Sequence, residues 1–203
     1  MRVQNLYHGG WASNCYYLVD RRGEFAVVID PSVPPTCLDI CGDGQPKLVA
    51  IILTHAHYDH MLYLDDWRKT GAPVYLGAGD VQGMTDPDYN VSGRVFGDPK
   101  TYGAADVLLR DGDTIIFGDE TLTVYETPGH TEGCISLGCQ SALFTGDTMF
   151  AYGSIGRCDL PGSSHDKMQA SLSRLLAFPS QTKIYPGHGP VSTIAAEREI
   201  HLF

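Results

Sequence analysis

The sequence predicts an α+β fold, two β-sheets with helices outside them. Three observations lead there. Short strand patterns separated by turn residues fill both halves of the chain, with helical patterns between and after them. The run LVAIILT (48–54) is continuously apolar and β-branched, as in a strand covered on both faces. In SSHDKMQASLSRLLAF, Met168, Leu172, Leu175 and Leu176 recur at i, i+4, i+7 and i+8, which is one apolar stripe of a helix.

Taken in order, VQNLYH, CYYLVD and FAVVID read as strands, and the segment DRRGE supplies the glycine of a tight hairpin between the second and third. PSVPP breaks the chain, and a short helix is expected up to Gly42. After LVAIILT comes MLYLDDWRKT, a helix stopped by Gly71, then the strand PVYL and a short helix or loop at GAGDVQGM. Residues 86–105 are rich in Gly, Pro and Asp and carry no period; a structureless stretch of that length is a candidate substrate-side loop or a plain surface insertion. DVLL, TIIFG, TLTVYE, CISLGC and SALFTGD follow as strands. Ser163 with Asp166 marks a capping box for the helix already noted. KIYPGHGP is a last strand running into a glycine-rich loop, and TIAAEREIHLF a terminal helix. No internal repeat is visible, and residues 1–203 are expected to form a single domain.

Composition narrows the function classes. The 203 residues carry a formal net charge of -10, which disfavours phosphate backbones and anionic membranes as partners. No apolar stretch approaches the roughly 18 residues of a membrane helix. MRVQNLYHGG has no apolar core of a signal peptide, so a cytoplasmic location is expected. The cysteines (Cys15, Cys37, Cys41, Cys134, Cys139, Cys158) show no CxxC pairing and read as reduced thiols, Cys37 and Cys41 on or near a short helix.

The chemistry concentrates in THAHYDH (54–60). His55 and His57, two apart at a strand end, point the same way, roughly 6.6 Å apart along the backbone, and converge on one ion. Asp59 and His60, further on, face another point, so the heptad is built to serve two ions. Further ligands stand in matching settings: His130 after TLTVYE, Asp147 after SALF and His188 after KIY, each preceded by a glycine in the loop that ends a strand. His8, His165 and His201 lack that setting and read as ordinary residues. Any of these residues alone would be unremarked; the set is what points to metal.

THAHYDH, GHT (129–131), GD (146–147) and GH (187–188) together resemble the metallo-β-lactamase fold superfamily, across most of the chain. The resemblance implies a four-layer αββα sandwich of two mixed β-sheets with the metal site at one edge. It implies a first metal site of His55, His57 and His130, a second of Asp59, His60 and His188, and Asp147 as the bridge between two divalent ions, zinc first, with iron or manganese as alternatives. True β-lactamases of this fold use Cys at the bridging position or lack that bridge, so Asp147 disfavours antibiotic cleavage. His57 stands where flavodiiron proteins carry Glu, and the acidic chain shows no RNA-gripping arm of the nuclease branches. GDTMFAYGSIGRCDLPGSS (146–164) and the ending YPGHGPVSTIAAERE look most like short glyoxalase II-like (hydroxyacylglutathione hydrolase-like) proteins. The helical domain that helps long forms hold glutathione is not expected here, since about fifteen residues follow His188.

This resemblance implies a thioesterase in which a hydroxide between the ions attacks the carbonyl of a small acyl-thiol such as S-lactoylglutathione. A thiolate, with a conjugate pKa near 8.5, leaves without a strong general acid. Asp59 is expected to orient the hydroxide, and Arg157 to meet a substrate carboxylate or to pair with Asp159. Cys134 and Cys158 read as packing residues. Two other readings stand beside this one. One is a persulfide dioxygenase using one iron on His55, His130 and Asp147, and the other a non-catalytic metal-binding domain.

Overall fold

A computed structural model describes residues 1–7, 10–38 and 44–201. His8, Cys41, most of the helix expected before Gly42 and the side chain of His201 lie outside the described residues. Strands β1 (Arg2–Asn5), β2 (Tyr16–Val19), β3 (Phe25–Ile29), β4 (Lys47–Leu53), β5 (Val74–Gly77) and β6 (Val107–Leu109) form one six-stranded sheet in that spatial order. Strands β7 (Thr114–Phe117), β8 (Glu120–Glu126), β9 (Ile135–Cys139), β10 (Ala142–Gly146), β11 (Lys183–Pro186) and β12 (Ser192–Thr193) form the second, with β7 and β12 at its edges. Both are mixed: β3 to β6 run parallel after an antiparallel start, while only β10 and β11 are parallel in the second.

Alternation along the strands decides the layers. In β2, β3 and β4, Tyr16, Leu18, Val27, Ile29, Ala50 and Ile52 turn inward and meet Ile115, Phe117, Leu122, Val124, Leu137 and Phe144 of the second sheet. The intervening residues, Tyr17, Val19, Val28, Ile51 and Leu53, turn outward and pack on Leu64 and Trp67 of helix α1 (Leu64–Arg68). On the far side, Leu143 and Ile184 pack against Met168, Leu172 and Leu175 of helix α2 (His165–Leu176) and Ile194 of helix α3 (Ile194–His201). Each fully buried large side chain stabilises by about 1.5–3 kcal/mol, and β4, sandwiched on both faces, supplies several. The result is the four-layer αββα sandwich.

Three details differ from the sequence reading. The cap of α2 falls one residue later than Ser163: Ser164 accepts from the Lys167 amide at 3.4 Å, while the Ser163 hydroxyl turns back to the Leu160 carbonyl at 2.6 Å. Asp166 then sits in the first turn, where it favours the positive helix end. The helix read across 61–70 is only the five-residue α1, because Tyr58–His60 forms a separate 3₁₀ turn and Gly71 (φ 81°) ends the segment. The two-residue β12 was too short to show a period. Residues 86–105 form no helix or strand, as expected, yet Tyr89, Asn90, Val91, Ser92 and Tyr102 within them are buried.

Candidate metal centre

The ends of β4, β8, β10 and β11 open at one edge of the sandwich. The Ile135 amide donates to the Thr54 carbonyl at 2.9 Å, stitching the two sheets together directly behind the heptad. Gly146 adopts a left-handed conformation (φ 48°) pressed against Thr54, where a β-carbon would strike the Thr54 side chain. The chain can therefore turn at the end of β10 and deliver Asp147 to the heptad only with glycine there. Gly187 serves His188 in the same way, since a β-carbon on it would collide with the Asp147 carboxylate and the His60 ring.

All seven predicted ligands meet at this edge. His55, His57 and His130 bring donor atoms within 4.8 Å of one another; so do His55, His60 and Asp147, and so do Asp59, His60 and His188. The His55 and His57 rings are 4.7 Å apart, closer than their spacing along the backbone because both turn inward. Asp147 sits between the groups: its Oδ2 is 3.5 Å from His130 Nε2 and 3.5 Å from His188 Nε2, and its Oδ1 is 3.3 Å from His60 Nε2.

Neighbouring groups choose which nitrogen each ring presents. His60 Nδ1 lies 2.9 Å from the buried carboxylate of Asp30, so it carries the proton and Nε2 faces the site. Thr54 donates its hydroxyl to the same carboxylate at 2.8 Å, leaving its oxygen to accept from His55 Nδ1 at 3.1 Å. His130 Nδ1 donates to the Arg157 carbonyl at 2.8 Å. His57 turns Nδ1 toward His130 Nε2, 2.8 Å away. A second buried carboxylate, Asp80, accepts from the Ala56 amide, the Gly133 amide and the Thr131 hydroxyl at 2.7–2.9 Å, and ties the heptad to the His130 loop. Asp30 and Asp80 escaped sequence reasoning; the only signal was an aspartate at or just past the end of an apolar strand.

The donor set fits cations. The buried atoms His55 Nε2, His60 Nε2 and Asp147 Oδ1 have no hydrogen-bond partner among the described residues, although buried polar atoms are nearly always paired. Burial, reinforced by the other imidazoles, lowers the pKa of His55 and takes His57 down to about 3, so both are neutral donors at physiological pH. Burial opposes charge on Asp147 and Asp59, but the facing His60 and His188 outweigh it and keep both carboxylates ionised. His60 and His188 shift the other way: burial is overcome by Asp30 and Asp147 around His60 and by Asp59 and Asp147 around His188.

A cleft of about 260 Å³ opens above these groups, walled by Val91, Val95 and Phe96 of the 86–105 segment and by Phe150, Leu160 and Arg157. That segment therefore stands beside the candidate site. Arg157 is half-exposed and forks onto Asp159 at 2.6 and 2.7 Å. Cys134 is buried under Thr131, and burial pushes its thiol pKa well up. Cys158 donates to the Gly156 carbonyl at 3.6 Å and packs against the core beneath α2, and His165 is exposed in the first turn of α2.

A family model described as the metallo-beta-lactamase superfamily matches residues 8–188. The chain belongs to that superfamily. Among its members, the chain is 35% identical to the probable metallo-hydrolase YqgX of Bacillus subtilis, over 100% of this chain and 97% of that protein. It superposes on the crystal structure of the B3 metallo-beta-lactamase BLEG-1 with a TM-score of 0.89 and 36% identity, covering 98% and 97% of the two chains. It superposes on TTHA1623, solved in a di-iron-bound form, with a TM-score of 0.80 and 32% identity over 100% of both chains. Superfamily membership and the metallo-hydrolase class agree with the cluster of His and Asp donors. No helix among the described residues is long and apolar enough to cross a membrane.

Proposed function

We propose that the protein is a metal-dependent thioester hydrolase, glyoxalase II-like in its chemistry, acting on a small acyl-thiol. The observation that carries the reading is Asp147, held between two groups of donors at the floor of an open cleft. His55, His57 and His130 would hold one ion and Asp59, His60 and His188 the other, with Asp147 shared. Divalent ions bound there, zinc first with iron or manganese as alternatives, supply Lewis acidity, which polarises a carbonyl and makes water a competent nucleophile near neutral pH.

The chain's own residues do the rest. Asp30, Thr54 and the Arg157 carbonyl fix the three ring orientations, so the donors need no rearrangement. Asp59, partly exposed at the cleft floor, orients the attacking water. Arg157 stands at the wall with its fork on Asp159, the ion pair that was one of the two roles expected for it. Cys134 is buried and protonated and plays no nucleophilic part. A thioester suits a floor whose carboxylates stay ionised, because a thiolate leaves without being protonated. We place the protein in the cytoplasm, where the described free cysteines stay reduced.

The likeness to BLEG-1 favours a second reading, lactam cleavage, whose nitrogen leaving group needs a proton that the thiolate does not. One experiment separates these. Protein of known metal content is given S-lactoylglutathione, a chromogenic cephalosporin and, with an oxygen electrode, glutathione persulfide. Loss of thioester absorbance, abolished in Asp147→Ala, is the expected result. Cephalosporin turnover alone, or oxygen uptake alone, would replace the thioesterase reading with the corresponding chemistry. No turnover of any of them by fully metallated protein would sink S-lactoylglutathione and bring other acyl carriers to the front; a metal-binding domain would be left only if those also failed.

A further inference from the structure

The 86–105 segment contains a backbone conformation that side chains rarely adopt. Val91 has φ 62°, in the left-handed region, which is costly for a β-branched residue. Such a conformation persists only where the surroundings over-determine it, and here they do. Asn90, fully buried, donates to the Gly83 carbonyl at 2.8 Å and to the Lys100 carbonyl at 3.1 Å, and accepts from the Ser92 amide at 3.0 Å. The Ser92 hydroxyl accepts from the Lys100 amide at 2.9 Å. The Asn90 carbonyl accepts at 2.9 Å from the amide of Tyr58, the residue between His57 and Asp59. The strained residue is thus clamped on both sides and fixed to the backbone of the ligand heptad.

The clamp holds an apolar wall over the metal donors. Val91 is buried, and the Val95 and Phe96 amides both point back to its carbonyl, at 2.9 and 3.4 Å, which folds all three side chains onto the cleft. Phe96 is braced from outside by Trp11 (ring centroids 4.6 Å apart) and by Tyr58 (5.4 Å). Phe150 and Leu160 extend the apolar lining. Among the described residues that line the cleft, Arg157 is the one Lys or Arg, and its fork is filled by Asp159. The floor holds the carboxylates of Asp59 and Asp147. A substituent with several charges would lose water here without gaining partners, whereas an uncharged chain or ring would exchange water for Val91, Val95 and Phe96.

Building on the thioesterase reading, we infer that the Val91–Phe96 wall selects an uncharged, apolar substituent on the substrate. The substituent's source is either the acyl group or the thiol carrier. Phe96 and Val91 contact it, and Asn90 is a positioning residue that acts through Val91.

The test uses metallated full-length protein and two series of thioesters. In one arm N-acetylcysteamine is constant and the acyl group lengthens from acetyl to hexanoyl, with succinyl as the charged comparison. In the other, acetyl is constant and the thiol lengthens from ethanethiol to hexanethiol. The expected result is kcat/KM rising about fourfold per added methylene in one arm until the cleft is full, carried mainly by KM, with succinyl poor. Phe96→Ala flattens that slope and Phe96→Leu restores most of it; Val91→Gly, which suits the backbone, flattens it without unfolding. A binding measurement runs alongside. Hexyl N-acetylcysteamine thioether, which cannot be hydrolysed, should change the fluorescence of half-exposed Trp11, and Phe96→Ala should weaken that binding about tenfold. Thioether binding that depends on Phe96, with no thioester turned over, supports the wall and sinks only the hydrolase reading. Thioester turnover that is flat in both arms, or best with succinyl, or unchanged by Phe96→Ala, overturns the inference.

Discussion

The two halves of the candidate metal centre are built differently. One is three imidazoles, His55, His57 and His130, all buried; burial lowers the pKa of His55 and takes that of His57 down to about 3, so these two are neutral. The other contains a carboxylate, Asp59, and His188, whose side chain is 33% exposed, beside the fully buried His60; His57 and His130 of the first half also line the cleft. Buried donors make a pre-organised site that solvent reaches poorly. Partly exposed donors that include a carboxylate make one that exchanges more readily. On the proposed function, the difference would give the first half a holding role and the second a reacting role, with Asp147 common to both.

The largest effect should come from the shared residue. Asp147→Ala is expected to lower kcat by well over the 10–100-fold that outer-shell changes cost, and to reduce metal content on both sides, read by elemental analysis beside turnover. Equal loss from a variant of only one half, with Asp147 dispensable, would break the comparison. Next come the single-sided variants. His57→Ala should leave protein that retains little metal, while His188→Ala should retain close to one ion and lose most activity. If both variants keep the same stoichiometry, the halves are not distinct.

Acidification sharpens the same contrast. Protons compete with metal for each imidazole, and they compete better where the pKa is raised. His60 and His188 are raised by Asp30, Asp147 and Asp59, against the effect of burial; His57 is lowered to about 3 by burial and His130. The second half should therefore release its ion first, between about pH 6.5 and 5, while the three-imidazole half still holds. For the metal-free fold the signs also oppose. The lowered His57 gives stability that is complete above its unfolded pKa, about 6.5, and is lost as pH falls toward 3. His60 and His188 give stability that is complete below about 6.5 and is lost as pH rises through their raised values. Metal retained against dialysis at a series of pH values checks the order of release.

The contrast also marks how far sequence reading reached. The strands were legible because alternation and burial write themselves into residue type: Val27 and Ile29 turn inward, Ala26 and Val28 outward. The seven donors were legible because their chemistry is rare and each follows a strand and a turn. Asp30 and Asp80 were not, since a buried aspartate at or beyond a strand end looks like a turn residue until the ring or the amides it serves are in view. The clamp around Val91 was invisible for a related reason. Its partners, Gly83, Lys100 and Tyr58, are brought to it by loop closure, and nothing in residue type encodes a left-handed valine. The cap of α2 slipped by one because both Ser163 and Ser164 satisfy the residue preference, and only the Leu160 carbonyl decides between them.

The smallest effect belongs to Cys134, behind the holding half. Its sulfur lies 3.0 Å from the Thr131 hydroxyl, and Thr131 follows His130 directly and is bound to Asp80 at 2.8 Å. A nucleophile would need a thiolate open to substrate, but this thiol is buried and its pKa is driven up. Cys134→Ala should therefore change kcat less than about threefold while lowering stability by about 1 kcal/mol through lost packing, as thermal unfolding of the metallated protein would show. Activity that vanishes with metal content intact would give the sulfur a chemical role and remove the division between a half that holds and a half that reacts.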